Sequence, residues 1–118
     1  MSAKIIFVYN ADTGLFNSLS DWVHKVVSPS TYSCNLCVLT HHNFGAREEW
    51  KEFIKQISLP MEFLHKDEFV RKYSDSTSFS FPCILRNDLG TNKLIVSSIE
   101  LNSYTELAQL KEKIRDVL

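Results

Sequence analysis

The chain has 118 residues, of which 44% are hydrophobic and 23% are charged, and its formal net charge is -1. This length suits one domain with its own core, so we expect residues 1–118 to form a single domain. The near-neutral charge and the apolar content argue against a disordered tail and against a nucleic-acid partner.

The N-terminal residues carry no targeting pattern. The first apolar run, Ile5 to Tyr9, is short and is followed by the polar residues Asn10 and Asp12. A secretory signal or a membrane span needs a longer apolar stretch. We therefore expect a cytoplasmic protein without a membrane partner, in a compartment where cysteines are mostly reduced.

The first element is predicted to be a buried central strand. Lys4 to Tyr9 is a continuous β-rich run, typical of a strand covered on both faces of a mainly parallel sheet. A turn follows, in which Asp12 or Thr13 is placed to cap a helix. The apolar residues at helical spacing after this turn are Leu15, Phe16, Leu19, Trp22, Val23, Val26 and Val27. The pattern predicts an amphipathic helix that ends at 28–30.

The middle of the chain is predicted to contain two strands and two helices. Leu36 to Thr40 indicates a second strand, and Met61 to His65 indicates a short third one. One helix lies between them, and a shorter helix capped by Asp67 follows. The inward-facing residues are Trp50, Phe53, Ile54 and Ile57 in the first of these helices and Phe69, Val70 and Tyr73 in the second.

The C-terminal part is predicted to form a hairpin and a last helix. Two apolar runs, 79–86 and 93–97, flank a loop rich in turn residues at 87–92. A capping-box pattern at 103–106 starts the helix. Its apolar stripe consists of Tyr104, Leu107, Leu110, Ile114 and Val117. The complete order is βαβαβαββα, which predicts an α/β sandwich with a mixed sheet and helices on both faces.

This order resembles the thioredoxin-like superfamily, whose fold is a three-layer α/β/α sandwich, and the resemblance extends over nearly the whole chain. The most specific local match is Phe81-Pro82-Cys83-Ile84-Leu85, because proline is excluded from most strand interiors. The superfamily has a cis-proline at the start of the strand that opens its final hairpin. The resemblance therefore implies a cis Phe81–Pro82 bond and a scaffold that is used for thiol-disulfide chemistry.

The strongest chemical signal is the sequence Cys34-Asn35-Leu36-Cys37. Such a pair forms a redox disulfide, supplies half of a metal site or is structural, and the sequence leaves these three readings open. In the superfamily the redox pair stands at the start of a helix, whereas here it enters the predicted second strand. Residues three apart in an extended strand have Cα atoms about 10 Å apart, so a disulfide needs a turn through Asn35 and Leu36.

The first candidate site is therefore the Cys34/Cys37 pair. As a redox pair or sensor it needs no cofactor, and its partner is a protein or a small-molecule thiol. As a structural zinc site it needs further ligands, and His24 is the nearest candidate. His41 and His42 are predicted to lie a strand length away from the cysteines, roughly 13 to 20 Å.

The second candidate site lies at the opposite end of the predicted sheet, where open α/β sheets tend to bind ligands. It consists of residues at strand ends and at a helix start: Asn10, Asp12, Thr13, His41, His42, Pro82 and Cys83. The helix start suits an anionic group. This surface defines the alternative function, a non-catalytic module that binds a ligand or a protein on the same scaffold. The oligomeric state is left open.

Overall fold

The structure is a computed structural model, and it describes residues 3–10, 35–42, 45–73 and 78–118. These residues form an α/β fold with a four-stranded mixed sheet, a two-stranded ribbon and five helices. No helix in these ranges is long and apolar enough to cross a membrane. The helix predicted after the first strand lies outside the described residues, together with Asp12, Thr13, His24 and Cys34.

The strands are, in chain order, β1 (Lys4–Tyr9), β2 (His41–His42), β3 (Gly45–Ala46), β4 (Met61–His65), β5 (Cys83–Asp88) and β6 (Thr91–Val96). The main sheet has the order β4-β1-β5-β6, and β2 and β3 form the ribbon. β1 is parallel to β4, and β5 is antiparallel to both β1 and β6. The interior position of β1 and the C-terminal hairpin confirm two predictions, because both follow from uninterrupted apolar runs and turn residues.

The helices are α1 (Asn35–Thr40), α2 (Glu48–Lys55), α3 (Lys66–Lys72), α4 (Ser98–Ser103) and α5 (Leu107–Val117). The predicted second strand is therefore wrong, because Leu36 to Thr40 forms α1. Leu36, Cys37, Leu39 and Thr40 are buried while Val38 is exposed, which is the pattern of a helix on a core. A short apolar run fits a buried strand and a buried helix equally well, so periodicity does not separate them. The predicted order βαβαβαββα is corrected at this position.

The start of the last helix is also displaced from its predicted place. The chain contains two Ser-x-x-Glu patterns, at 97–100 and 103–106, and the first one caps the unpredicted helix α4. There the Ser97 hydroxyl oxygen accepts from the Glu100 N–H at 3.1 Å. α5 begins only at Leu107, where Glu106 and Gln109 form a reciprocal capping box. A capping pattern alone does not reveal which copy is used.

Alternate residues of β1 point to opposite faces of the sheet, so the sheet separates two cores. On one face, Ile5 and Phe7 join a cluster formed by Leu36, Cys37, Leu39, Trp50, Phe53, Ile84, Val96, Leu101, Leu110 and Ile114. On the other face, Ile6 and Val8 pack with Phe69, Cys83 and Leu85. α1, α2, α4 and α5 therefore contribute to the first core, and α3 contributes to the second. Helices pack on both faces, as predicted.

The β5–β6 hairpin closes through a two-residue loop. Asp88 pairs with Thr91, and the loop residues Leu89 and Gly90 have φ values of 53° and 90°. Positive φ at both loop positions matches the twist of the flanking strands. The Asn87 amide nitrogen donates to the Asn92 side-chain oxygen at 2.6 Å, and the Asn87 amide oxygen accepts from the Gly90 N–H at 3.3 Å. One polar side chain therefore braces the loop.

Candidate functional site

Cys37 lies near the start of α1 and is disulfide-bonded. It has no exposed surface and belongs to the same core cluster as Ile5 and Phe7. The strand geometry that argued against a disulfide does not apply here, because α1 is a helix. The other cysteine of the predicted pair, Cys34, lies outside the described residues.

Asn35, the first residue of α1, ties this helix to the α4–α5 corner. Its Nδ2 donates to the main-chain oxygens of Leu101 at 2.6 Å and of Tyr104 at 2.8 Å. Carbonyl oxygens only accept hydrogen bonds, so these two partners fix the orientation of the amide. The acceptors stand at the C-terminal end of α4, where the Leu101 carbonyl also accepts from the Tyr104 N–H at 3.3 Å.

The other end of α1 meets the end of β1. The Thr40 hydroxyl donates to the Leu36 carbonyl at 2.7 Å, and it lies 2.8 Å from His41 Nδ1. Burial raises the pKa of the Tyr9 phenol, and a hydrogen bond to Thr40 opposes that rise. Thr40 thus connects α1, β1 and the imidazole of His41.

Aromatic rings from three elements meet beside this hydroxyl. The ring centroids of Tyr9 and His41 are 5.9 Å apart in an edge-on arrangement, and those of Tyr9 and His65 are 6.4 Å apart. His65 is the register partner of Tyr9 at the end of β4. The His65 Nδ1 lies 2.9 Å from Glu68 Oε1, which also accepts from the His65 N–H. The ends of β1 and β4 and the start of β2 therefore bring two imidazoles to one phenol.

The second predicted site is assembled in part at this end of the sheet. Asn10 follows β1, and Pro82 precedes β5, which runs antiparallel to β1. Cys83 is the register partner of Val8, so it lies near the same end as His41. For His42 the structure describes only its place in β2. The Phe81–Pro82 peptide bond is cis, which confirms that prediction.

The predicted separation between the cysteine region and His41 is wrong. It assumed an extended strand, whereas Cys37 and His41 are joined by helix α1. A helix rises about 1.5 Å per residue, so the four residues from Cys37 to His41 span about 6 Å rather than a strand length. Cys37 and His41 therefore lie close together, at the two ends of one short helical segment.

Cys83 is chemically separate from this disulfide. Its thiol is free and buried, and burial raises its pKa to about 12. It packs on the face of the sheet that carries Ile6 and Val8, whereas Cys37 packs on the opposite face. A buried thiol with a raised pKa is a poor nucleophile at neutral pH. Cys83 is therefore a core residue and not part of the reactive pair.

The zinc alternative requires Cys37 as a thiolate, whereas the structure has Cys37 in a disulfide. A sulfur in a disulfide is not a thiolate, which is the form that binds zinc. Within the part of the chain that the structure describes, no group of three or more His, Cys, Asp or Glu side chains is placed to hold a metal ion. The other two residues of that alternative, Cys34 and His24, lie outside it.

A groove of about 380 Å³ runs beside the outer face of α1. Its lining residues are Val38, Leu39, Arg47, Glu49, Thr105, Glu106, Leu107 and Ala108. The Arg47 guanidinium donates to the Val38 carbonyl at 3.3 Å and thereby joins the groove wall to α1. The helix that carries Cys37 is accessible from this side, although the Cys37 sulfur is not.

Sequence reasoning missed Tyr9, Asn35, Thr40 and His65 as members of this region. Asn35 stands between the two cysteines, which was the one signal that pointed to it. Its acceptors are 66 and 69 residues away, and no local pattern selects them. No protein-family model, curated protein or solved structure matches this chain, so the residues themselves carry the functional argument.

Proposed function

We propose that this chain is a thioredoxin-like protein that acts in thiol-disulfide redox chemistry or redox sensing through Cys34 and Cys37. The observation that carries the proposal is the disulfide at Cys37, near the start of a helix. Cys34 is the proposed partner of Cys37, because the chain has three cysteines and Cys83 is free.

The arrangement of the sheet supports the thioredoxin-like part of the proposal. A parallel pair, β1 and β4, comes first in the chain, and an antiparallel hairpin with following helices comes last. This is the arrangement that the resemblance implies. The corrected position of Cys37 supports it as well, because the superfamily carries its redox pair at the start of a helix and not in a strand.

The proposed reaction exchanges two electrons with a dithiol partner. A thiolate of the partner attacks one sulfur of the Cys34–Cys37 bond, a mixed disulfide forms, and the other cysteine leaves as a thiolate. The second thiol of the partner then displaces the first, so the partner ends as a disulfide and this chain ends with two thiols. The two protons come from the two thiols of the partner. The reverse sequence oxidises the chain.

A redox titration with site mapping tests the proposal. The purified chain is equilibrated in buffers of reduced and oxidised dithiothreitol, unfolded, alkylated and digested, and each cysteine peptide is quantified by mass spectrometry. We expect Cys34 and Cys37 to be protected together in oxidising buffer and alkylated together in reducing buffer, with Cys83 alkylated in both. The variant Cys83→Ser should titrate like the wild type, and Cys37→Ser should lose the transition. Full alkylation of Cys34 and Cys37 in oxidising buffer would overturn the redox proposal.

A second candidate function is the non-catalytic binding module, and the burial of Cys37 favours it. A sulfur with no exposed surface suits a structural bond, and the ring cluster at Tyr9, His41 and His65 offers a polar and aromatic surface beside it. An assay of catalytic turnover distinguishes the redox function from the binding module. If the chain accelerates the dithiothreitol-dependent reduction of a protein disulfide and the Cys34→Ser/Cys37→Ser double variant does not, the redox function is supported. A reversible disulfide without any acceleration supports the module.

A further inference from the structure

We propose that Asn35 is a positioning residue for the Cys37 disulfide, and that its two hydrogen bonds to the α4–α5 corner set how readily this disulfide is reduced. The inference rests on the proposed redox function and deepens it. The Asn35 side chain is not proposed to touch a reacting atom. It acts through the main chain that leads into Cys37.

Both residues that precede Cys37 in α1 are held from outside the helix. The Asn35 amide gives its hydrogens to the Leu101 and Tyr104 carbonyls at 2.6 and 2.8 Å. The next residue, Leu36, has no exposed surface and packs in the same core as Leu101. The start of α1 is therefore held by polar contacts to the α4–α5 corner and by burial in the first core.

The corner that accepts these bonds is itself braced. The Ser97 side chain caps the start of α4, and the Tyr104 hydroxyl donates to Glu100 Oε2 at 3.1 Å. Lys113 of α5 lies 3.2 Å from the same Glu100 oxygen. The Asn35 amide is therefore bonded to a corner that a helix cap, a hydrogen bond and an ion pair hold together. The start of α1 cannot shift without breaking bonds to that corner.

Reduction requires the two sulfurs of the disulfide to move apart, and the main chain beside Cys37 takes up part of that movement. A segment that is held at Asn35 resists this movement of Cys37. Preorganisation of this kind favours bond formation, because less freedom is lost when the bond forms. Asn35 therefore shifts the equilibrium toward the disulfide.

Substitution of Asn35 tests the inference through the redox equilibrium and not only through stability. We expect Asn35→Ala to make the disulfide about tenfold easier to reduce in the dithiothreitol titration, which for two electrons corresponds to a potential about 30 mV less negative. Asn35→Asp keeps the size but has no N–H donor, and it should shift the equilibrium in the same direction. Asn35→Gln keeps both donors and should stay closer to the wild type. Asn35→Asp serves as the second variant if the alanine variant does not fold.

The matched control is Asn87→Ala in the β5–β6 hairpin. Asn87 is buried and also makes two side-chain hydrogen bonds, but it lies on a different element from Cys37. We expect this variant to lose stability in urea while its disulfide titrates like the wild type. Wild-type titration curves for both Asn35 variants would overturn the inference and leave the redox function standing. A wild-type chain that shows no disulfide-to-thiol transition would instead overturn the redox function on which the inference rests.

Discussion

Removal of the Glu62 charge should destabilise the protein in a way that depends on pH. Lys4 Nζ lies 3.0 Å from Glu62 Oε1, the Tyr73 hydroxyl donates to the same oxygen at 2.8 Å, and Lys72 donates to Oε2. Burial raises the pKa of the Glu62 carboxyl, but the hydrogen bonds from Lys72, Lys4 and Tyr73 together outweigh burial and lower it from 4.5 to about 2. β1, β4 and the end of α3 are joined at this carboxylate.

The size of the effect follows from that pKa and from the exposure of the partners. A lowering from 4.5 to about 2 corresponds to about 3 kcal/mol of differential stabilisation before screening is considered. The Lys72 side chain is 50% exposed and the Glu62 side chain 19%. Solvent screening therefore reduces the expected contribution to about 1 to 2 kcal/mol. Because the folded pKa is the lower one, this stabilisation is complete above pH 4.5 and is lost as the pH falls toward 2.

Urea denaturation of wild type and Glu62→Gln between pH 7 and pH 2 measures this contribution. We expect the variant to be less stable by about 1 to 2 kcal/mol at pH 7 and the difference to shrink toward zero near pH 2. Glu52→Gln is the control, because Glu52 pairs with Lys55 on an exposed surface and should change the free energy of unfolding by less than about 0.5 kcal/mol. A deficit of Glu62→Gln that is equal at every pH would refute the electrostatic reasoning.

Two further predictions concern the hairpin tip and the free thiol. Leu89 has φ 53° and is 83% exposed. Leu89→Asn should raise the free energy of unfolding by about 1 kcal/mol, because asparagine accepts the left-handed conformation that a two-residue loop needs. A lower urea midpoint for the variant would contradict this prediction. In the oxidised native protein Cys83 should be alkylated by iodoacetamide far more slowly than after unfolding in urea, because its thiol is buried and its pKa is raised to about 12. Alkylation of Cys83 at the rate of an exposed thiol would show that the second core opens easily.

The predictable parts of the fold are the segments whose local sequence clearly favours one type of secondary structure over the others. β1 is an uninterrupted β-rich run, and the hairpin has turn residues between two apolar runs. Leu36 to Thr40 has no such advantage, because five mostly apolar residues suit either a strand or a short helix. The bonds from Asn35 to Leu101 and Tyr104 help to hold this segment as a helix. Tertiary contacts of this kind override the local secondary-structure propensity of a segment, and the sequence of the segment does not reveal them.

The candidate site was predictable in its residue types but not in its arrangement. Cys34 and Cys37 were identified from their spacing, and Asn10, His41 and Pro82 from their places at strand ends. Their relation to one another depended on the secondary structure of α1, so one incorrect element placed Cys37 and His41 at opposite ends of the sheet. Thr40, which connects His41 to Tyr9, gave no signal because its hydrogen-bond partners come from different elements.

The bonds made by Asn35 also have a consequence for how relatives of this chain should vary. Both acceptors are main-chain oxygens, and any residue at positions 101 and 104 supplies the same atom. At position 35, in contrast, a short side chain with two N–H groups is required. Natural selection that preserves these two hydrogen bonds should therefore restrict position 35. Positions 101 and 104 should vary only as the packing of the core allows. Correlated substitutions usually reveal a long-range contact in an alignment. We expect none between position 35 and positions 101 and 104.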